Sequence, residues 1–77
     1  MLKNDNILLS FGETIHKYRG IAGLSQESLA EKAGLDRTYI SSVERGQRNV
    51  SLLNICKLAN ALQLPPSELL VNVGRSA

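Results

Sequence analysis

The chain has 77 residues, which is enough for one domain and too short for two. Apolar residues make up 43% of it and charged residues 21%, a balance typical of a folded protein and not of a disordered tail. The single cysteine excludes an internal disulfide and suits a reducing cytoplasm. No apolar run approaches the ~20 residues needed to span a membrane.

The positive charge is concentrated in one part of the chain, although the net charge is only +2. Between residues 36 and 57 the basic side chains outnumber the acidic ones, with Arg37, Arg45, Arg48 and Lys57 against Asp36 and Glu44. Between residues 25 and 35 the balance is reversed, with Glu27 and Glu31 against Lys32. A clustered basic surface is typical of proteins that bind nucleic acid. Residues 36–57 are therefore the candidate nucleic-acid-binding segment.

The first predicted helix runs from about Ile7 to Ile21. Its apolar side chains recur at the spacing of a core stripe, namely Leu8, Phe11, Ile15 and Tyr18. Asn6 or Ser10 is predicted to cap it, and Ser10 has Glu13 three residues on, as in a capping box. His16 has no second histidine, cysteine pair or acidic cluster beside it, so no metal site is expected.

Two short helices joined by a glycine turn are predicted next. The first, at about 26–33, can be capped by Ser25 and is ended by Gly34, because the turn needs a residue that tolerates positive φ. The second, at about 37–45, can be capped by Asp36. The side chains predicted to face inward are Leu29, Ala30, Ala33, Ile40 and Val43.

The outward side of the second motif helix has an unusual composition. It carries Thr38, Ser41, Ser42 and Arg45, with Arg37 and Tyr39 on its flanks. Lysine or glutamate would suit a plain solvated helix better than serine and threonine. Small polar side chains let a helix approach a partner closely, and arginine, serine and threonine read base edges in a major groove. This pattern alone is compatible with two interpretations, a DNA-binding face or an ordinary surface helix.

A fourth helix is predicted at about 52–62, with Ser51 as its cap. Its predicted inward side chains are Leu52, Ile55, Ala59 and Leu62. Cys56 lies beside this stripe and is expected to be a small core or interface residue. Two prolines end the helix, and the second opens a short fifth helix that extends to Leu70. Alternation at strand period is nowhere sustained, so the predicted fold is all-α, a compact bundle of five helices.

The stretch LSQESLAEKAGLDRTYISSVERG resembles the helix-turn-helix of the phage repressor/Cro class, often called the Xre family. The matching positions are Gln26, Ala30, Gly34, Ile40 and Val43. The resemblance extends over about residues 11–70 and implies one lambda repressor-like DNA-binding domain over 1–77, with its motif at about 25–45. Within this class, LDRTYISSVERGQRN is most similar to the small controller proteins of restriction–modification systems, which regulate transcription as dimers.

This resemblance, with the docking geometry of such motifs, assigns DNA contacts. The predicted base-contacting residues are Arg37, Thr38, Ser41 and Ser42. The predicted backbone-contacting residues are Gln26, Tyr39, Arg45, Arg48 and Asn49. For Tyr39, Ser42 and Arg45 both kinds of contact remain open.

Arg37 is the strongest candidate for base readout, because its guanidinium can donate two hydrogen bonds to a guanine. The alternative is a solvated arginine that offsets Asp36. Gln26 stands at a helix N-terminus and is expected to bind a phosphate or to brace Arg37. The family pattern also pairs an arginine near the end of helix 1 with a glutamate before the ERG turn, which implies a structural salt bridge between Arg19 and Glu44.

A second copy of the chain is the expected partner of the apolar C-terminal residues. The predicted dimer interface is Leu64, Leu70, Val71 and Val73, together with Leu69 and part of helix 4. The alternative is that these side chains cap the core of the monomer.

The predicted function is a cytoplasmic transcription regulator that binds a palindromic operator as a homodimer, with two recognition helices ~34 Å apart in successive major grooves. For a controller, the resemblance implies activation of its own promoter at low concentration and repression at high concentration, with RNA polymerase as a further partner. No cofactor, metal, membrane or small-molecule ligand is expected. No paired nucleophile and base, carboxylate pair or phosphate loop indicates an enzyme.

Three alternatives remain. The chain can be a phage-type or antitoxin-type repressor of another system. It can be the DNA-binding piece of a longer protein, although the MLKND start favours a complete chain. It can also be a protein-interaction module on the same fold, against which the arginines of the motif argue.

Overall fold

Five α-helices make up the described part of the chain, residues 4–74 of the computed structural model. In chain order they are α1 (Asn4–Ile21), α2 (Gln26–Ala33), α3 (Arg37–Glu44), α4 (Leu52–Ala61) and α5 (Pro66–Leu70). These residues contain no strand, so the predicted all-α fold is confirmed. None of the described helices is long and apolar enough to traverse a bilayer. Residues 1–3 and 75–77, which the sequence assigns to the same domain, lie outside the described residues.

One apolar core holds the helices together. Its largest fully buried side chains come from every helix and are Ile15, Leu29, Ile40, Val43, Leu58 and Leu69. Burying each such side chain stabilises the fold by about 1.5–3 kcal/mol. α3 packs against α1 and α2, while α4 packs against α2 and α5. The second motif helix, α3, is therefore supported by two helices behind it.

The helices α2, α3 and α4 begin at the polar residues that the sequence predicts as caps. The caps are Ser25 for α2, Asp36 for α3 and Ser51 for α4. Their side-chain oxygens accept backbone N–H groups at 3.0, 3.4 and 3.1 Å respectively. Gly34 follows α2 with φ 69°, the left-handed conformation that the turn requires. The caps satisfy amides that have no partner within the helix, so these boundaries are set locally.

α1 begins at Asn4, earlier than the sequence predicts. Both predicted caps are wrong, since Asn6 and Ser10 lie within the helix. Ser10 instead donates from Oγ to the carbonyl oxygen of Asn72 at 3.1 Å, which joins α1 to the segment after α5. The core stripe starts only at Leu8, so apolar spacing could not indicate the first turn.

The inward side of α4 differs from the prediction. Leu52, predicted to face the core, is 72% exposed, whereas Leu58 is fully buried. Leu52 lies in the first turn and at the edge of a stripe centred nearer Leu58 and Leu62, so it extends beyond the helices packed below. Cys56 is exposed, so its predicted core placement is wrong and the interface alternative remains.

Candidate nucleic-acid interface

One side of α3 is buried and the other is open. Ile40 and Val43 point into the core and are 0% and 1% exposed. Of the four predicted base-contacting residues, Thr38, Ser41 and Ser42 lie on the opposite side and Arg37 lies on its flank. Arg37 and Thr38 are exposed, and Ser41 and Ser42 are half-buried. The helix therefore presents a narrow polar face with short side chains along its middle.

Hydrogen bonds within α3 already occupy part of this face. Thr38 donates from Oγ1 to Asp36 Oδ2 at 2.9 Å, and Ser42 donates from Oγ to the Thr38 carbonyl at 3.0 Å. In the described part of the chain, the Arg37 guanidinium makes no hydrogen bond and no ion pair with Asp36. Its N–H donors, which are arranged as a planar fork, therefore face solvent at the start of α3.

Arg45 extends from the other end of α3, immediately after its last residue. Its Nη1 donates to Ser41 Oγ at 3.0 Å, and its Nε and Nη2 lie 3.4 and 3.3 Å from Gln47 Oε1. These contacts direct the Arg45 guanidinium along the polar face of the helix. Arg37 and Arg45 thus lie at opposite ends of the polar face of α3.

A buried carboxylate fixes α3 against both neighbouring helices. The Glu44 side chain is only 5% exposed. Arg19 of α1 donates to it from Nε at 2.7 Å and from Nη2 at 3.0 Å, and donates from Nη1 to the Leu24 carbonyl at 2.9 Å. Gln26 of α2 donates from Nε2 to Glu44 Oε1 at 3.2 Å, and His16 Nδ1 lies 3.0 Å from the same oxygen. Three helices therefore meet at one carboxylate.

The surroundings of Glu44 determine its charge state. Burial raises the pKa of the carboxyl, but hydrogen bonds outweigh burial and hold the pKa below its ordinary value. The donors are Arg19, His16 and Gln26. Arg19 correspondingly has its pKa raised, because its guanidinium donates to the Glu44 carboxylate. Glu44 therefore remains ionised and is neutralised within the protein, so it does not present its charge to an approaching phosphate.

Gln26 and His16 have contacts that the sequence did not indicate. The Gln26 amide was expected to bind a phosphate or to brace Arg37, and here it donates to Glu44. His16, for which the sequence excluded only a metal site, lies against the same carboxylate. Both pairs join residues 18 and 28 positions apart, which no local spacing rule reaches.

A polar concavity of about 580 Å³ opens beside this network. It is lined by Arg19, Ser25, Gln26, Glu27, Ser28, Glu31 and Arg37. The first turn of α2 faces this region with backbone N–H groups that have no partner within the helix. A phosphate placed here would meet the positive end of the α2 dipole and the Arg37 side chain together.

The loop between α3 and α4 carries the remaining predicted backbone contacts. Arg48 and Asn49 are both exposed. The Arg48 guanidinium lies over the ring of Tyr39, 5.4 Å from its centroid. Tyr39 is half-buried against the core, and its hydroxyl accepts a hydrogen bond from Asn54 Nδ2 at 3.1 Å. The structure thus brings Arg48 and Tyr39 together.

Gly12 of α1 determines how closely α3 can pack against α1. It is not among the functional or structural residues predicted from the sequence. A Cβ at this position would collide with the carbonyl oxygen of Val43 and lie 2.8 Å from that of Glu44. Only glycine therefore lets α1 approach the C-terminal end of α3 so closely. Its position inside an amphipathic helix was the available signal, because an interior glycine costs roughly 1 kcal/mol relative to alanine and usually has a packing reason.

The predicted dimer surface is only partly open. Leu64 and Val73 are half-buried and pack against the core, and Leu69 is buried within it. Leu70 and Val71 remain 39% and 46% exposed. The exposed apolar side chains of α4 are Leu52, Leu53 and Cys56.

Comparisons with known proteins agree with this architecture. A helix-turn-helix family model matches residues 15–69. The control protein C.BamHI of Bacillus amyloliquefaciens is 49% identical over 67 residues, covering 86% of this chain and 83% of that protein. The control protein C.SmaI of Serratia marcescens is 52% identical over 62 residues, covering 80% and 74%.

A solved structure is similarly close. The restriction-modification controller protein C.AhdI from Aeromonas hydrophila matches with a TM-score of 0.79 and 58% identity, over 80% of this chain and 94% of that one. The resemblance to the Xre class is therefore confirmed. From the family match, the identities and the geometry of α2 and α3, this chain belongs to the helix-turn-helix family of DNA-binding transcription regulators.

Proposed function

We propose that this protein is a restriction–modification controller, which binds a palindromic operator as a homodimer and regulates transcription there. The observation that carries the proposal is the two-sided character of α3. Its outer side offers arginines and small hydroxyl side chains, while its inner end is anchored through Glu44 to α1 and α2. Among helix-turn-helix regulators, the similarity to control proteins favours a controller over other classes.

In this mechanism α3 enters the major groove and Arg37 donates to the O6 and N7 of a guanine. Neighbouring base edges are contacted by Thr38, Ser41 and Ser42. Phosphates are bound by Arg45, Arg48 and Asn49 and by the backbone N–H of Gln26, whose side chain is engaged with Glu44. Such phosphate contacts set the register of the protein on DNA, and base contacts supply the sequence specificity.

The second copy places its own α3 one turn of B-DNA away, ~34 Å along the duplex. Occupancy then depends on protein concentration, because dimerisation and DNA binding are linked equilibria. We propose that the protein acts in the cytoplasm, with RNA polymerase as the partner at the activated promoter. Activation at low concentration and repression at high concentration follow from successive filling of adjacent sites.

Leu70→Glu is expected to shift the protein towards monomer, because the substitution places a charge within the apolar dimer surface. Sedimentation at several protein concentrations measures this shift. Ile21→Glu is the matched control, since Ile21 is a 70% exposed aliphatic side chain at the end of α1. A Leu70→Glu protein that dimerises as well as the control would place the interface elsewhere.

Arg37→Ala is expected to relax specificity at one base pair and to weaken operator binding by about 1–3 kcal/mol. The physical reason is the loss of two donated hydrogen bonds to one base. Titration against a panel of single-base operator variants measures the effect. Arg45→Ala serves as the comparison, because the loss of a phosphate contact weakens binding to all sequences alike. Equal weakening across the panel by Arg37→Ala would refute its role in readout.

Selection of bound DNA from a random pool tests the proposal as a whole. Enrichment of an inverted repeat, with half-site centres a whole number of helical turns apart, is the expected result. No enrichment would favour the protein-interaction alternative. Transcription from a promoter carrying the selected site, with increasing protein, then separates controller from repressor. A rise followed by a fall supports the controller, and a monotonic fall supports the repressor.

A further inference from the structure

Tyr39 differs from the other polar residues of α3 in having two partners outside the helix. Its hydroxyl accepts from Asn54 Nδ2 in α4 at 3.1 Å. One face of its ring is covered by the Arg48 guanidinium, 5.4 Å from the centroid. The side chain is half-buried and packs against the core. These contacts connect α3, the following loop and α4 through one aromatic ring.

The contacts of Tyr39 hold its ring within the protein. Its hydroxyl accepts a hydrogen bond from the Asn54 amide, which fixes the direction of the ring against α4 and leaves only the O–H proton of Tyr39 to donate elsewhere. Arg48, by contrast, is exposed, and its guanidinium lies over the ring without donating a hydrogen bond to any other described residue. A guanidinium attracted to an aromatic face still has N–H donors that can bind a phosphate.

We infer that Tyr39 is a positioning residue, which holds Arg48 in the orientation that binds a DNA phosphate and does not itself contact DNA. The inference rests on the proposed function. Within that function it replaces the predicted contact of Tyr39 with the DNA backbone by a positioning role. An arginine side chain loses considerable rotamer freedom when it binds a phosphate. A cation–π contact with a ring that Asn54 holds in place restricts those rotamers before DNA arrives, so less freedom is lost on binding.

A double-mutant cycle on Tyr39 and Arg48 tests this coupling. Arg48→Ala is expected to weaken binding to all sequences alike and to reduce the slope of log affinity against log salt by about 0.9, the value for one phosphate. Tyr39→Met keeps an apolar side chain for packing but removes the ring. It should weaken binding roughly two- to fivefold, the range of an exposed cation–π contact. In the Tyr39→Met background, Arg48→Ala should then cost correspondingly less than it does alone.

Tyr39→Phe separates positioning from contact. The phenylalanine ring still offers a face to Arg48, so this variant should retain most of the affinity that Tyr39→Met loses. A hydroxyl that bound a phosphate or a base would instead make the two variants equally weak. That result, or strictly additive effects in the cycle, would overturn the inference.

A measurement on the free wild-type protein covers the case in which Tyr39→Met does not fold. The side-chain protons of Arg48 should show upfield ring-current shifts in NMR spectra, and these should be lost on unfolding. Unshifted Arg48 protons would overturn the inference without any variant.

Lys17→Ala is the matched control for the salt dependence. Lys17 Nζ lies over the ring of Tyr18, 5.5 Å from its centroid. Lys17 belongs to a different part of the protein surface, which also includes Ser10 and Asn72. Its removal should leave the salt slope unchanged. A wild-type protein that binds no DNA at all would refute the proposed function, whereas DNA binding with uncoupled Tyr39 and Arg48 would refute only this inference.

Discussion

Arg19→Met is expected to reduce the free energy of unfolding by about 3–5 kcal/mol, because it leaves the Glu44 carboxylate buried without its counter-charge. The guanidinium donates two hydrogen bonds to Glu44 and a third to the Leu24 carbonyl, so a partly buried acceptor also loses its donor. Domains of this kind are stable by only about 5–15 kcal/mol. Urea unfolding at neutral pH measures the loss, and operator binding should fall with the folded fraction.

The double variant Arg19→Met with Glu44→Leu is the control for this prediction. Replacing a buried ion pair by apolar side chains is often neutral or stabilising, so much of the lost stability should return. The Gln26 amide then loses its acceptor, which limits the recovery. A loss below about 1 kcal/mol for Arg19→Met alone would mean that the pair behaves as a surface salt bridge and does not anchor α3.

The pH dependence of stability gives an independent measure of the same interaction. The folded pKa of Glu44 lies below its ordinary value of 4.5, so its ionised form stabilises the fold above that pH. This contribution is lost as the pH falls through the folded pKa. The stability difference between the wild type and Arg19→Met should therefore shrink on acidification below about pH 4.5. A difference that stays constant to low pH would contradict the assignment of the stabilisation to an ionised Glu44.

Gly12→Ala is expected to destabilise the protein by about 2–3 kcal/mol, although alanine favours a helix by roughly 1 kcal/mol over glycine. The added methyl group meets backbone carbonyl oxygens of Val43 and Glu44, which cannot rotate away as a flexible side chain can. α1 and α3 must therefore separate, which also lengthens the hydrogen bonds from Arg19 to Glu44. Thermal or urea unfolding measures the change.

Gly20→Ala is the matched control, because Gly20 lies in the same helix and a Cβ there meets nothing within 4 Å. That variant should be neutral or more stable by up to about 1 kcal/mol. If both variants gave the same change in stability, the close approach of α1 to α3 would not be what requires glycine at position 12.

The local features of α2, α3 and the start of α4 were predictable from the sequence. Ser25, Asp36 and Ser51 cap their helices and Gly34 ends α2, because capping and turn geometry depend on residues within three or four positions. Helical spacing likewise placed Ile40 and Val43 inside and the polar residues of α3 outside. The family pattern added the expectation of an arginine and a glutamate paired across the core, at positions where the structure has Arg19 and Glu44 in contact.

The tertiary structure decided the contacts between helices. It placed Gln26 and His16 on Glu44, required glycine at position 12, and left Leu52 exposed while burying Leu58. It also turned Tyr39 towards Arg48 and Asn54. Each of these depends on how closely and at what angle two helices pack, and that is determined by the whole core at once. Spacing along one helix says which side is apolar, but not which neighbour that side will meet or how far the helix extends beyond it.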